Sequence, residues 1–414
     1  PDFWAYRHCI VEFIEAPKAE QVLVQELEAA CQGTAEYADQ YEDTDDKISL
    51  RETLLTAIPK HDETTSIRAN LLLSLGILNW RKGDFEKADE QLQKALKAAA
   101  QIQDNWFEAE CFNAIALLRS SMGRHEDAIE AYKQAIRLAP EQIFAWNNLG
   151  NLCTKIDRND EALVTFIKAL ECNPQDPIAW NGLGNVYYKI GYVDDAITAY
   201  RKSIKFMPSF AHPWNGLGDA YASVGRGDDA IKAYQQAAQK NNRYVTPWLN
   251  LGRLFTKQER FRDAQKALQH AAMLDPHNSA IWNEIGLVYS KYNAFDDAAD
   301  AFSKAIDIDR AYGLAYSNLG MIYFQQGKPA ESIPLLTRSV ELLDDEKDKA
   351  ASWNRLGDVY RQLNEYDKAV KAYEMADKLE HGPQIPTDVK PRVESALFVP
   401  APPMEVSSDI QVEE

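Results

Sequence analysis

Asparagine recurs at a fixed interval through the middle of this 414-residue chain: Asn147, Asn181 and Asn215 are each 34 residues apart, and Asn283 stands two intervals further on. Four residues beyond the first three lie Asn151, Asn185 and Asp219, and four beyond the first two of those lie Lys155 and Lys189. The same offsets pick out Arg253 and Lys257, then Lys291, then Asn354 and Asp358. Steps of four residues place such side chains on one face of a helix. A carboxamide both donates and accepts, so a ladder of them can hydrogen-bond an extended peptide backbone whatever its side chains are. Lysine and arginine add a preference for carboxylates. The chemistry this pattern predicts is recognition.

Bond-making chemistry finds no such support. The pairs Gly182/Gly184 and Gly216/Gly218 mimic a phosphate loop, but they fall inside helical patterns and no Gly-Lys-Ser/Thr follows them. Carboxylate pairs recur in many copies, whereas a catalytic pair would occur once. The seven histidines form no ligand-like spacing, and Cys9, Cys31, Cys111, Cys153 and Cys172 are odd in number with no Cys-x-x-Cys. Reduced thiols, no metal, no cofactor and no enzymatic activity are the expectations, and a cytoplasmic setting goes with them.

Charge narrows the partners. The net charge of −18 is uneven: residues 1–68 hold 15 acidic and 6 basic side chains, residues 69–381 hold 42 and 37, and residues 382–414 hold 6 and 2. Nucleic-acid binding needs a concentrated basic surface, which this balance argues against. No window approaches the ~18 apolar residues that cross a bilayer. The chain opens on Pro1 and not on Met, which reads as a processed or partial sequence, so a targeting segment or a catalytic domain can precede it.

The element that must position the asparagines is set by tryptophan. Trp146, Trp180, Trp214, Trp248 and Trp282 repeat every 34 residues, each followed by a Leu-Gly or Ile-Gly pair three residues on. With each Trp at position 4, units start at 69, 109, 143, 177, 211, 245, 279, 313 and 350. Positions 4, 7, 8 and 11 share a face of a first helix, and positions 20, 24 and 27 share a face of a second. Gly83, Gly123, Gly191, Gly225 and Gly327 mark the turn at position 15, and Pro140, Pro174, Pro208 and Pro276 stop the second helix at position 32. Losing one buried Trp of this ladder is expected to cost about 3–5 kcal/mol. Six extra residues near Gln103–Glu108 and three near Asp344–Lys349 fall between units, where a repeat array tolerates them.

This pattern resembles the tetratricopeptide repeat: unit 177–210 carries Trp180, Leu183, Gly184, Tyr187, Ala196, Tyr200, Ser203 and Pro208, and unit 143–176 carries Trp146, Leu149, Gly150, Ala162, Phe166, Ala169 and Pro174. The resemblance implies an all-α, right-handed superhelical α-solenoid whose first helices line a concave groove, with the asparagine stripe facing it. It implies a non-catalytic scaffold that binds an extended or helical segment of another protein, possible acidic partners among them, with self-association through an uncapped end as a further option. The alternative is a substrate-recruiting arm of an enzyme, such as a sugar transferase, with its catalytic domain elsewhere. Position 5 is Asn, Leu or Ser from unit 143 onward, so the lysine-based carboxylate clamp of chaperone-binding relatives is not reproduced.

Outside the repeats, residues 1–68 read as an irregular acidic cap or the remnant of a preceding domain. Helices are expected over Phe3–Glu15, after Pro17 and over Ile48–Ile58, with the acidic run Glu42–Asp46 as a break. Residues 382–414 hold six prolines and an acidic end, and read as a disordered or loosely extended tail that could fold back on the groove.

Overall fold

The computed structural model describes residues 44–57 and 65–381, and every described element is a helix. The expected helices over Phe3–Glu15 and after Pro17, and the tail, lie outside the described residues. Two compact units divide the chain at Glu259/Arg260. The first holds α1 (Thr44–Ala57), α2 (Thr65–Lys82), α3 (Phe85–Ile102), α4 (Asn105–Ser121), α5 (His125–Leu138), α6 (Ile143–Lys155), α7 (Asn159–Cys172), α8 (Pro177–Lys189), α9 (Val193–Phe206), α10 (Ala211–Ser223), α11 (Gly227–Lys240) and α12 (Val245–Lys257). The second holds α13 (Phe261–Leu274), α14 (Ser279–Lys291), α15 (Phe295–Ile308), α16 (Gly313–Gln325), α17 (Pro329–Leu342), α18 (Glu346–Gln362) and α19 (Tyr366–His381). No described helix is long and apolar enough to cross a membrane.

From α2 onward the helices alternate as first and second members of the repeat units. The turn between them is left-handed at position 15 in every unit, including the four that lack glycine there: Asp157, Glu259, Asn293 and Asn364 all have positive φ. The next residue's N–H returns to the carbonyl five back, as in Arg158 N to Cys153 O and Tyr192 N to Tyr187 O, both 2.9 Å. These bonds satisfy carbonyls that the helix end would otherwise leave open. Acidic pairs such as Asp194-Asp195 and Asp228-Asp229 then open the second helix, where the macrodipole favours them.

Packing explains the small and large positions. Phe166, wholly buried on α7, seats its ring between Gly150 of α6 and Gly182 of α8. Tyr200 of α9 does the same between Gly184 and Gly216. The tryptophans do something different. Trp146, Trp180 and Trp282 are half-buried, and each indole N–H donates to the carbonyl of the proline six residues earlier, Pro140, Pro174 and Pro276, at 2.8–2.9 Å. These three tryptophans thus tie their helices to the end of the preceding unit, and the fully buried volume belongs to the position-24 aromatics instead.

One further expectation is corrected. Asp45 does not break the chain; it lies in the first turn of α1, a favourable site for negative charge. That helix packs Ile48 and Leu55 against Leu75 and Leu78 of α2. The inserted residues form little loop: α3 and α4 are 18 and 17 residues long, against 14 and 13 for α7 and α6, so the extra length continues the helices.

The cysteines are chemically distinct. Cys111 and Cys153 are buried, and burial pushes their thiols up to about 12 and about 11, while Cys172 is exposed. Iodoacetamide near pH ~8 should label Cys172 and spare the other two, since the thiolate is the reactive form. Peptide mass mapping checks this; comparable labelling of Cys111 would show that α4 and α5 open in solution.

Candidate functional site

The asparagine stripe divides by position. At position 5, Asn147, Asn215 and Asn283 are only 4, 7 and 3% exposed, between consecutive first helices and not on an open face. Asn147 Nδ2 donates to Asp176 Oδ2 at 2.6 Å, and Asp176 itself caps α8 by accepting from the Ala179 N–H at 3.1 Å. Asn215 Oδ1 accepts from Asn250 of α12, and Asn283 Oδ1 accepts from Asn318 of α16 at 2.9 Å. Asn148 reaches back to Asn113 in the same way, at 3.0 Å. Position 6 of one unit therefore donates to position 5 of the unit before. This stitch was readable in the sequence, since Asn148, Asn250 and Asn318 each follow a unit with Asn at position 5. Where position 6 is glycine, at Gly182 and Gly216, the partner is missing, and Asn147 Oδ1 and Asn181 Oδ1 are buried with nothing donating to them.

Position 9 is where the face opens. Asn151 and Asn185 are exposed, and the buried Tyr200 hydroxyl donates to Asn185 Oδ1 at 2.8 Å. Asp219 is the hub of a tighter cluster: its Oδ1 accepts from the Tyr234 hydroxyl at 2.7 Å and from Asn250 Nδ2 at 2.9 Å, and its Oδ2 accepts from Asn215 Nδ2 at 3.1 Å. Burial raises the Asp219 carboxyl above the usual carboxylate range, against the lowering effect of the Tyr234 bond and of Arg253. Burial and the same carboxylate push Tyr234 far above a free phenol. In the second unit Asp358 accepts from Tyr373 at 2.8 Å and pairs with Arg361, while Asn354 donates to Glu380 at 3.1 Å. Tyr200, Tyr234 and Tyr373, all at position 24, thus each donate to an acceptor at position 9 fifteen residues earlier, whereas Tyr132 has Leu117 at that offset.

Position 13 is mixed. Lys189 is already engaged, with Asp157 Oδ1 and the Thr154 carbonyl both at 2.6 Å. Lys155, Lys257 and Lys291 are exposed, as is Arg253 at position 9. Position 2, outside the four-residue stripe, shares this face because seven residues separate it from position 9. Phe144 and Ile178 are exposed there at 37 and 45%, and Tyr188 joins them from position 12. His212, also at position 2, lies between the rings of Phe210 and Tyr244, with centroids 5.2 and 4.9 Å away.

Sequence comparison agrees with this repeat geometry. Tetratricopeptide repeat profiles match residues 67–141, 150–191 and 350–376, and a profile described as the C-terminal domain of cilia and flagella-associated protein 70 matches 175–345. The chain belongs to the tetratricopeptide repeat family. This tetratricopeptide protein has no match among curated sequences. Among solved structures, the Cut9–Hcn1 hetero-tetramer of the APC/C is 14% identical, with a TM-score of 0.45 over 84% of this chain and 93% of that one. PilF of Pseudomonas aeruginosa is 20% identical, with a TM-score of 0.44 over 55% and 96% of the two chains. YrrB, described as a tetratricopeptide protein with an unusual peptide-binding site, is 20% identical, with a TM-score of 0.36 over 45% and 96%. Tetratricopeptide arrays are protein-interaction scaffolds and typically non-catalytic, and this chain is built as one.

Proposed function

We propose that the open face of α6, α8, α10 and α12 binds an extended segment of a partner protein. Its backbone is held at Asn151 and Asn185, and its side chains rest on Phe144, Ile178 and Tyr188. The observation that carries the reading is Asn185. Because Tyr200 occupies its carbonyl, the amide is fixed with Nδ2 as the group left to donate, a donor set in advance for a peptide carbonyl. Lys155 and Lys257, exposed on the same face, support acidic residues in the bound segment. The likeness of residues 175–345 to the C-terminal domain of a cilia and flagella-associated protein supports a setting in a cilium or flagellum for this scaffold.

The test is affinity capture with mass spectrometry, comparing the wild type with an Asn185→Ala/Ile178→Asp double variant. Both side chains are exposed, so the variant should keep its far-ultraviolet circular dichroism. Partners that bind the wild type and not the variant are the expected result. Identical partner sets from both baits would sink the reading.

A further inference from the structure

At its N-terminal end the same face changes character. Positions 5 and 9, which carry Asn in later units, are occupied here by Leu73, Ile77 and Leu117, and with Trp80 and Phe144 these line a cleft of about 290 Å³ between α2, α4 and α6. One acid stands in this apolar wall. Glu110 is half-buried and makes no hydrogen bond or ion pair among the described residues. Arg81, on the rim, is exposed and is not paired with it. The Trp80 ring is held by its own N–H bond to Ser121 Oγ at 2.8 Å.

A half-buried carboxylate in an apolar cleft has lost part of its hydration and gained nothing in exchange. Consistent with this, burial raises the Glu110 carboxyl, and the negative charge of Asp104 adds to the effect. The desolvation cost falls on Glu110 and not on solvated Arg81, so Glu110 has the more to gain from a counter-charge. A ligand that suits the cleft needs an apolar stem for Leu117, Ile77 and Phe144 and a cationic head for Glu110. Lysine and arginine side chains have that build, and the aromatic faces of Trp80 and Phe144 attract the same cation.

We propose that the α2–α4–α6 cleft is a subsite for a basic side chain, lysine or arginine, of the bound segment, with Glu110 as its counter-ion. The inference rests on the groove reading in that both place a peptide on one helical face, and it gives that peptide a chemistry at one end. It also gives it a direction: a basic residue at the cleft, and acidic residues further along toward Lys155 and Lys257.

The experiment uses the full chain and fluorescein-labelled short peptides of alternating leucine and lysine, leucine and glutamate, or leucine and glutamine, followed by fluorescence polarisation. Glu110→Gln should weaken the lysine peptide by about tenfold and leave the other two within about twofold. Asp228→Asn, which removes one negative charge from an exposed site elsewhere, should change the lysine peptide by less than about twofold. The Glu110→Gln variant should melt at or above the wild-type temperature, because it removes a desolvated charge, so lost binding cannot be lost folding. Equal effects of Glu110→Gln and Asp228→Asn, or no effect of either, would overturn the inference. Ile178→Asp separates the two readings. Lysine-peptide binding that survives Ile178→Asp and falls with Glu110→Gln supports the cleft without the groove; the reverse pattern keeps the groove and removes the cleft.

Discussion

Gly182→Ala, which adds one methyl group to a helix, is expected to destabilise the protein although alanine is the better helix former. On propensity alone the change favours folding by about 1 kcal/mol. The added Cβ, however, would stand 2.3 Å from two ring atoms of Phe166, and that ring is completely buried between α6 and α8 with no room to retreat. Overpacking of this kind costs about 1–3 kcal/mol, enough to reverse the sign. Phe166→Ala by itself should cost about 3–5 kcal/mol, because it empties the wedge that α6, α7 and α8 share. The diagnostic case is the double variant. With the ring gone, Gly182→Ala should become stabilising by about 1 kcal/mol, the propensity gain alone. Urea denaturation midpoints, together with hydrogen exchange along α7 and α8, read out the four corners of this cycle. If Gly182→Ala costs the same in both backgrounds, the ring contact is not the reason for the glycine.

Asp219→Ala should be the most damaging change on the open face, at about 2–4 kcal/mol, since it strands a buried tyrosine hydroxyl and two carboxamide donors at once. Asp219→Asn keeps an acceptor for Tyr234 and avoids burying a charge, so it should lie within about 1 kcal/mol of wild type. The two aspartate substitutions also differ from wild type in pH dependence. The folded Asp219 carboxyl titrates above its ordinary value of 3.8, so between that value and the raised one the folded state holds more protons than the unfolded state. Under that condition stability falls as pH rises through the folded value, and is greatest below the ordinary one. Wild-type denaturation midpoints should therefore carry a downward contribution with rising pH over that window, and both Asp219→Asn and Asp219→Ala should lack it. A pH profile unchanged by either substitution would show that Asp219 is solvated and not the hub of the cluster.

The repeat architecture was legible because it is written many times over. A period of 34 set by Trp, Leu-Gly and Pro gives register, helix faces and turns together, and position 15 shows how strongly the array imposes itself. Asp157, Asn293 and Asn364 adopt the left-handed turn without glycine, because the returning N–H bond and the packed helices on either side fix it there. The site was less legible for a geometric reason. Four-residue steps say which side chains share a stripe, not which way the stripe is rotated toward the neighbouring helix. At position 5 that rotation turns Asn147, Asn215 and Asn283 inward, where amides serve the seam between units, and at position 9 it turns Asn151 and Asn185 outward. Two signals could have separated the cases. Asparagine at position 6 marks the unit whose predecessor uses position 5 for stitching, and tyrosine at position 24 together with Asn or Asp at position 9 marks an acceptor held there. Both need comparison across units, and neither shows within one. Glu110 left no pattern at all, since its meaning lies in the apolar residues that two other helices bring to it.

The side-chain stitches between units also have a common reach. Asn148 to Asn113, Asn250 to Asn215, Asn318 to Asn283 and Ser317 to Ser352 each span 35 residues, and Trp80 to Ser121 spans 41. Ties of one repeat length mean that closing each loop costs nearly the same chain entropy wherever it forms. Folding can therefore start in any unit whose pair of helices docks first and spread outward by single steps. Damage follows the same rule in reverse: a lost stitch loosens one seam and its two neighbours, and leaves distant binding positions standing on intact helices.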